Sequence, residues 1–500
     1  MFFASSRTGD SRSLSLSVDC VLGRKQTIRS LTRINQTTSQ IGLADMTNES
    51  STSNEGDETS STEIEKWNYP RENILRFATT CFSLFGMGLN DGSIGALLPY
   101  IGPYYDVGYT TVSTVFVVPV VGYVISAFLN NWVHERFGQR GVAFLGPFLR
   151  LCAFAPLSLH PPFVWLPFLL CFASTGNGIE DGAYNTWVGN LDRANELLGL
   201  MHGAYGLGAT VGPLVATAMV TKFGFPWYTY FYVMIGANAV GVVFGTTSFW
   251  TATGAAYRER RAKENAGKEA IPLSTVLKGV TVWLLAIFLL GYVGTEVSLG
   301  GWIPTFMIEV RHVSGFLAGL TSTLFWLGLT MGRVVLGFVT GRVGERLAII
   351  VYLVLCIVSQ CLYWLVPSFV VSMGAVTSLG FFMGPLFPAT IVVATKLLPA
   401  EHHISAIGFA AAIGSGGAAI LPFIVGAIAQ NHGVEVLQPI VVMALVFILS
   451  IWLSLPSGPQ KSGSDSPGDA PEGGLMQTVR DLFGRCTGRR GYIRLEDDAV

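Results

Sequence analysis

Long stretches of the chain contain no Asp, Glu, Lys or Arg, for example from Leu151 to Ile179 and from Leu347 to Thr395. Each exceeds the length of about 20 apolar residues that a helix needs to cross the hydrocarbon core of a bilayer. Over the whole chain half of the residues are hydrophobic and 13% are charged, against about 25% charged in ordinary soluble proteins. A soluble chain of this composition would expose more apolar surface than water tolerates. The pattern predicts a polytopic membrane protein.

Twelve apolar segments follow one another along the chain, and we number them spans 1 to 12. They lie at about 74–98, 112–133, 142–160, 163–186, 197–221, 227–250, 280–304, 314–338, 347–366, 369–397, 403–429 and 436–455. A single segment crosses lipid as a continuous helix, because every backbone N–H and C=O must be satisfied within it. The sequence therefore predicts an all-α membrane protein with twelve transmembrane helices.

The polar parts of the chain predict how these spans are grouped. Residues 1–70 are rich in Ser, Thr and Asn and are expected to be a disordered cytoplasmic segment, within which Met46 is an alternative start to Met1. The charged loop 251–279 separates a six-helix bundle at 71–250 from another at 280–456, and 457–500 forms a cytoplasmic tail of open role.

Charge asymmetry predicts the orientation. The loops that join even to odd spans hold twelve Lys and Arg residues, whereas the opposite loops hold two, Lys222 and Arg311. Positive loops stay on the cytoplasmic side, so both termini are expected there. The plasma membrane is the default location, and an internal membrane is the alternative. The net charge of −1 argues against nucleic acid as a partner, and the absence of His/Cys clusters argues against a metal or cofactor.

The two halves resemble each other in sequence. "HERFGQR" (134–140) after span 2 matches "TGRVGER" (340–346) after span 8, at an offset of 206 residues. "GMGLNDGSIGALLP" (86–99) in span 1 matches "GYVGTEVSLGGWIP" (291–304) in span 7 at an offset of 205, which aligns Asp91 with Glu296. Spans 5 and 11 share Gly-x4-Pro. Parallel repeats of this kind build many secondary transporters.

Charged residues inside the spans are the candidates for function. An ionised side chain at mid-bilayer costs about 2.5–3.5 kcal/mol, so such residues face the bundle interior and mark pathways. For Asp91 the alternative is that "NDG" breaks the helix and Asp91 caps the following piece. Neighbouring residues on a helix point about 100° apart, so Asp181 and Glu180 cannot face the same point. We expect Asp181 to face the cavity, since Asn185 follows it by four residues.

These candidates have distinct expected roles. We expect Asp91, Asp181 and Glu296 to carry protons. Arg150 and Arg333 are expected countercharges, which either gate transport or fix helix packing. His202 either relays protons or packs through a hydrogen bond. Aromatic side chains could stack on a sugar, although in membrane proteins they also form interfacial belts; they are Trp187, Trp302, Trp326 and Tyr205, with Trp302 favoured.

The loop "NNWVHERFGQR" resembles the signature that members of the major facilitator superfamily carry between spans 2 and 3, G-x3-D-R-x-G-R-R. Asn131 replaces the first Gly, Glu135 the Asp and Gln139 the first of the paired Arg. The resemblance covers about 74–455 and implies the twelve-helix fold of that family. It also implies gating or structural roles for the loop residues, which are Glu135, Arg136 and Arg140 with Arg342 and Arg346 in the second copy.

Within that superfamily the chain looks most like the fucose permease and glucose/galactose permease branch. "GNGIEDGAYN" (176–185) is similar to its span 4 pattern, and "LLGLMHGAYGLGA" (197–209) to its span 5 pattern, with His202 where Gln is usual and Tyr205 where Asn is frequent. The resemblance implies acids that couple to protons and amides that bind sugar hydroxyls. It assigns these roles to Asn90, Asp91, Asp181 and Asn185.

The sequence as a whole predicts a secondary active transporter that moves a sugar or similar polyol with protons by alternating access. We expect a monomer whose partners are the solute, protons and the lipid bilayer. One alternative is a drug or metabolite exporter of the same fold, and another is a non-transporting nutrient sensor whose termini carry the signal. An enzyme is not expected, because the sequence contains no nucleophile–base or metal cluster.

Overall fold

The computed structural model describes residues 65–264, 277–399 and 402–456, and these residues form an all-helical membrane protein. Most of the predicted N-terminal segment, part of the 251–279 loop, the tail 457–500 and Met46 lie outside the described residues.

Each predicted span corresponds to a helix. Their bounds, from span 1 to span 12, are Glu72–Tyr105, Thr114–Leu157 for spans 2 and 3 together, Trp165–Gly189, Ala194–Thr221, Tyr230–Ser248, Val280–Glu309, Gly315–Val343, Glu345–Leu365, the pair Phe369–Met383 and Leu386–Leu397 for span 10, His403–His432, and Leu437–Leu453. A short helix, Tyr109–Val112, precedes span 2, and the helix Gly254–Glu264 follows span 6.

Nine helical stretches within the described residues are long and apolar enough to cross a membrane. They cover every span except 1 and 4, with spans 2 and 3 in one stretch. Spans 1 and 4 are long enough but are the more polar ones, since Asn90 and Asp91 lie in the first and Asn177, Glu180 and Asp181 in the second. The shortfall in hydropathy therefore marks the helices that carry polar side chains inward.

Two glycines of the loop signature turn the chain between consecutive spans. Gly138 separates spans 2 and 3 with φ of 72°, and Gly344 separates spans 8 and 9 with φ of 96°. Residues other than glycine rarely adopt such positive φ angles. At Gly138 a Cβ would also collide with the backbone of Ala252 and Thr253. The turn is the physical reason that this glycine recurs in both copies.

The sequence repeat is also a repeat of packing. A Cβ at Gly208 in span 5 would collide with the carbonyl of Phe85 in span 1, and one at Gly417 in span 11 would collide with the carbonyl of Leu290 in span 7. Phe85 and Leu290 differ by the repeat offset of 205 residues. Glycines thus let span 5 approach span 1, and span 11 approach span 7, backbone to backbone.

Within the described residues the two halves meet along several pairs of spans. The repeat-related Gly95 and Gly300 face each other where spans 1 and 7 cross, and a Cβ on Gly95 would collide with the Gly300 carbonyl. Span 5 meets span 8 at Gly206 and Thr330, and the beginning of span 2 meets span 11. We call the membrane side with the 251–279 loop the basic side and the opposite side the outer side.

Hydrogen bonds close the outer side. The Tyr109 hydroxyl donates to the Glu309 carboxylate from span 7, and the Thr110 N–H donates to Gln430 Oε1 from span 11 at 3.3 Å. Towards the basic side, His202 on span 5 is exposed, and so is Phe338 on span 8 (74%). The halves are therefore in contact at their outer ends.

Candidate functional site

Asp91 lies within a continuous helix. Span 1 runs from Glu72 to Tyr105 without interruption, so "NDG" does not break it and Asp91 caps no helix. The carboxylate accepts a hydrogen bond from Asn90 Nδ2 on Oδ1 (3.0 Å) and one from the Tyr205 hydroxyl on Oδ2 (3.0 Å). Gly88 allows this contact, because a Cβ there would collide with the Tyr205 carbonyl.

A second carboxylate, Asp181, lies on span 4 and is held by neutral groups as well. Asn185 Nδ2 donates to Asp181 Oδ1 at 2.8 Å, and Asn185 Oδ1 accepts from His202 Nε2 at 3.0 Å. The four-residue spacing thus brings the acid and the amide together on one face. Tyr123 on span 2 lies close enough to Asp91 and Asp181 to interact electrostatically with both. It was missed from sequence because nothing distinguishes one Tyr in an apolar span.

Glu296, the repeat counterpart of Asp91, has a cationic partner. Arg333 on span 8 donates to Glu296 Oε1 at 3.1 Å, and Glu296 is 7% exposed. Tyr205 is near enough to Asp91, Glu296 and Arg333 to interact electrostatically with each. One hydroxyl from span 5 therefore binds the acid of span 1, and its residue interacts electrostatically with the acid of span 7.

Arg150 forms a separate, buried network with Glu180. Its guanidinium lies 2.5 Å from Glu180 Oε2, and Glu180 also accepts from the hydroxyls of Ser83 (2.5 Å) and Tyr184 (3.0 Å). Arg150 further donates to Asn238 Oδ1 (2.6 Å) and to Asn177 Oδ1 (3.1 Å). The network joins spans 1, 3, 4 and 6. Sequence reasoning missed its polar members on spans 1 and 6, although isolated Ser and Asn residues in apolar helices were a signal.

Trp302 does not join the carboxylates. It is fully buried, its indole N–H donates to the Pro422 carbonyl at 3.0 Å, and its ring packs edge-on against Tyr109 with centroids 5.8 Å apart. These contacts put it at the outer junction of spans 2, 7 and 11.

No group of three or more His, Cys, Asp or Glu side chains that could hold a metal ion occurs within 65–264, 277–399 and 402–456.

A family model described as the Major Facilitator Superfamily matches residues 80–374 and 299–486. The chain belongs to the major facilitator superfamily. This membership confirms the resemblance of the loop signature and the twelve-helix fold expected from it.

Proteins similar to the chain occur in yeast and in bacteria. It is 32% identical over 410 residues to the yeast (Saccharomyces cerevisiae) protein "Bypass of stop codon protein 6", covering 75% of this chain and 80% of the relative. It is 18% identical over 346 residues to the glucose/mannose transporter GlcP of Bacillus subtilis, covering 68% and 85%.

Solved structures agree with the fold. A point mutant of the nucleoside transporter NupG aligns with a TM-score of 0.62 at 14% identity and covers 76% of this chain and 99% of its own. A bacterial homologue of the human lysosomal transporter Spinster, inward-facing and unoccupied, aligns with a TM-score of 0.61 at 12% identity and covers 77% and 96%.

The superfamily signature loop contacts the helix Gly254–Glu264. Arg261 donates to Glu135 Oε1 at 2.6 Å and to Asn131 Oδ1 at 2.9 Å, so the residues at two departures from the signature bind the same arginine. Arg140 lies over the Trp250 ring at 4.9 Å. In the second copy Arg346 donates to the Leu455 carbonyl at 2.8 Å, while Arg136 and Arg342 are exposed.

Proposed function

We propose that the chain is a secondary active transporter that moves a small polar solute of the sugar class with protons by alternating access. One observation carries the proposal: the Tyr205 hydroxyl donates to Asp91 on span 1, and the same tyrosine interacts electrostatically with Glu296 and Arg333 of the second half. A site shared by both halves can be exposed to one side and then the other as the halves rock.

Asp91 and Asp181 are the proposed proton carriers. Their hydrogen-bond partners are neutral, namely Asn90 and Tyr205 for the first and Asn185 for the second. A proton can therefore join either carboxylate without breaking an ion pair. Glu296 differs, because its partner is Arg333. We assign Glu296 to holding the site together until solute or protonation releases the arginine.

The polar lining favours a hydroxylated solute over an apolar drug. The amide oxygen of Asn90 is buried and accepts no hydrogen bond within the described part of the chain. His202 and Asn185, which bind each other, add a ring nitrogen and an amide beside Asp181. Two similar proteins are described as a glucose/mannose transporter and a nucleoside transporter, whose solutes are hydroxylated rings.

Uptake into proteoliposomes tests the proposal. A panel of labelled sugars and nucleosides is presented to the purified protein with and without an inward proton gradient. We expect one class to accumulate only with the gradient. Failure of every solute to accumulate, with normal equilibrium exchange, would refute symport, and failure to exchange would favour the exporter or the sensor.

Variants then test the carriers. Asp91→Asn and Asp181→Asn should abolish accumulation but keep exchange, because an amide occupies the space of the acid and carries no proton. Glu296→Gln should weaken both. Asp106→Asn is the matched control, since Asp106 ends span 1 with φ of 51°, which Asn tolerates. Accumulation at the wild-type level in Asp91→Asn removes that residue from coupling.

We further propose that the basic side is cytoplasmic, with both termini there, and that the protein acts as a monomer in the plasma membrane. The bundles 71–250 and 280–456 then move about the loop 251–279. Tags at each terminus should resist labelling in intact cells and react after permeabilisation; labelling of intact cells would reverse the orientation.

A further inference from the structure

Trp326 on span 8 has a buried indole N–H without an acceptor among the described residues. The residue is 4% exposed. Buried donors in folded proteins are nearly always paired with a protein group or with ordered water, so an unpaired donor calls for a partner. The contrast with Trp302 is direct, since that indole N–H is paired with the Pro422 carbonyl. Of these two tryptophans, Trp326 therefore has its donor free.

The indole edge lies against the crossing of spans 1 and 7. A Cβ on Gly300 would lie 2.6 Å from the Trp326 ring and 3.4 Å from its Nε1. The same glycine faces Gly95 of the other half. Glycine at 300 thus accommodates both the crossing of the halves and the ring.

Trp326 shares a helix face with residues of the candidate site. Thr330 and Arg333 follow it by four and seven residues, which puts the three on one side of span 8. Thr330 meets Gly206, next to Tyr205, and Arg333 binds Glu296. At 1.5 Å per residue, the ring lies about 10 Å along the helix from Arg333. The indole, Thr330 and the ion pair thus lie along the part of span 8 that meets spans 5 and 7.

We propose that Trp326 is a substrate-binding residue that determines specificity: its ring face stacks on a cyclic solute and its N–H donates to a hydroxyl oxygen of that solute. This inference rests on the proposed function, because it assigns the solute of the same site. A Trp side chain combines a large apolar face with one polar donor, which suits a molecule with an apolar ring face and hydroxyls at its edge.

The test is equilibrium exchange in proteoliposomes, which needs no proton gradient. The wild type, Trp326→Phe and the control Trp165→Phe, at an exposed tryptophan that begins span 4, are compared with the exchanged sugar and its series of single-deoxy analogues. Trp326→Phe keeps a stacking ring and loses the donor, so the half-saturating concentration should rise about 2- to 10-fold, as expected for one hydrogen bond.

One deoxy analogue should bind the wild type more weakly than the parent sugar, yet bind Trp326→Phe as well as the parent does. That pattern identifies the hydroxyl that the indole binds, and general loosening of the fold would not produce it. Trp326→Leu should weaken every analogue further, through lost stacking. If every deoxy analogue binds more weakly than the parent sugar by the same factor in the wild type and in Trp326→Phe, the inference is overturned. The proposed function would still stand. A wild type that exchanges no sugar would overturn the inference together with the proposed function.

Discussion

The ion pair of Arg150 and Glu180 should be a structural element whose removal destabilises the protein without ending proton coupling. Both residues are almost fully buried, at 2% and 1% exposure. Arg150→Met leaves the Glu180 carboxylate with hydroxyl donors from Ser83 and Tyr184 alone. Breaking a buried pair by removing one partner costs about 3–5 kcal/mol, because the remaining charge is uncompensated.

The double variant Arg150→Met/Glu180→Gln distinguishes the energy of the ion pair from the cost of leaving one charge uncompensated. Glu180→Gln alone leaves the Arg150 charge buried and should cost a similar amount. With both charges removed, the cost of the uncompensated charge disappears, and the remaining loss comes from the oxygens of Asn177 and Asn238, which lose their donor. The two effects are thus not additive, as expected for residues in contact.

Thermal unfolding in detergent, followed by the fraction that stays monodisperse, measures the effect. A loss of 1 kcal/mol lowers the melting temperature by about 2–4 °C in a domain of about 150–250 residues, so each single variant should melt roughly 6–20 °C lower. The double variant should melt no lower than either single variant and should still accumulate solute with a proton gradient. A double loss equal to the sum of the single losses would refute the pairing, and loss of coupling in a folded double variant would make Glu180 a proton carrier.

Two further predictions concern the junctions between the halves. Gly95→Ala should impair folding and solute exchange, because its Cβ would collide with the carbonyl of Gly300. Gly86→Ala on the same helix is the control and should be neutral, since a Cβ there meets nothing within 4 Å. Equal melting temperatures of the two variants would contradict this packing. Glu309→Gln should weaken its hydrogen bond with Tyr109 and favour opening of the outer side, seen as faster amide hydrogen exchange at the outer ends of spans 2 and 11; unchanged exchange there would exclude this contact as a latch.

The spans and the repeat were predictable because both depend on short stretches of sequence. An apolar segment in lipid has one backbone solution, and Gly138 and Gly344 recur because each turn requires a positive φ. The same constraint explains why "NDG" failed as a helix breaker. Breaking a helix inside lipid leaves backbone groups unpaired, and that cost exceeds the weak turn preference of Asn, Asp and Gly.

The rotation of each helix was harder to predict than its existence. Asp181 and Glu180 could be separated because adjacent residues point in different directions and Asn185 marked one face. Trp326 shares a face of span 8 with Thr330 and Arg333, whereas Trp302 lies six residues past Glu296 and therefore on a different face of span 7 from that acid. Their positions depend on how spans 7 and 8 pack, which only the three-dimensional structure contains.

The repeat is symmetric in packing and asymmetric in charge, and on our proposal this difference underlies coupling. Gly95 and Gly300 bring spans 1 and 7 together as equivalents, and the acids one helical turn before them are also equivalents in sequence. Asp91 is held by neutral donors, whereas Glu296 is held by Arg333. Two identical sites would titrate alike and give no preferred order of events. Asp91 can take a proton, whereas Glu296 is paired with the Arg333 cation. Protonation can therefore act on the first half while solute contacts act on the second.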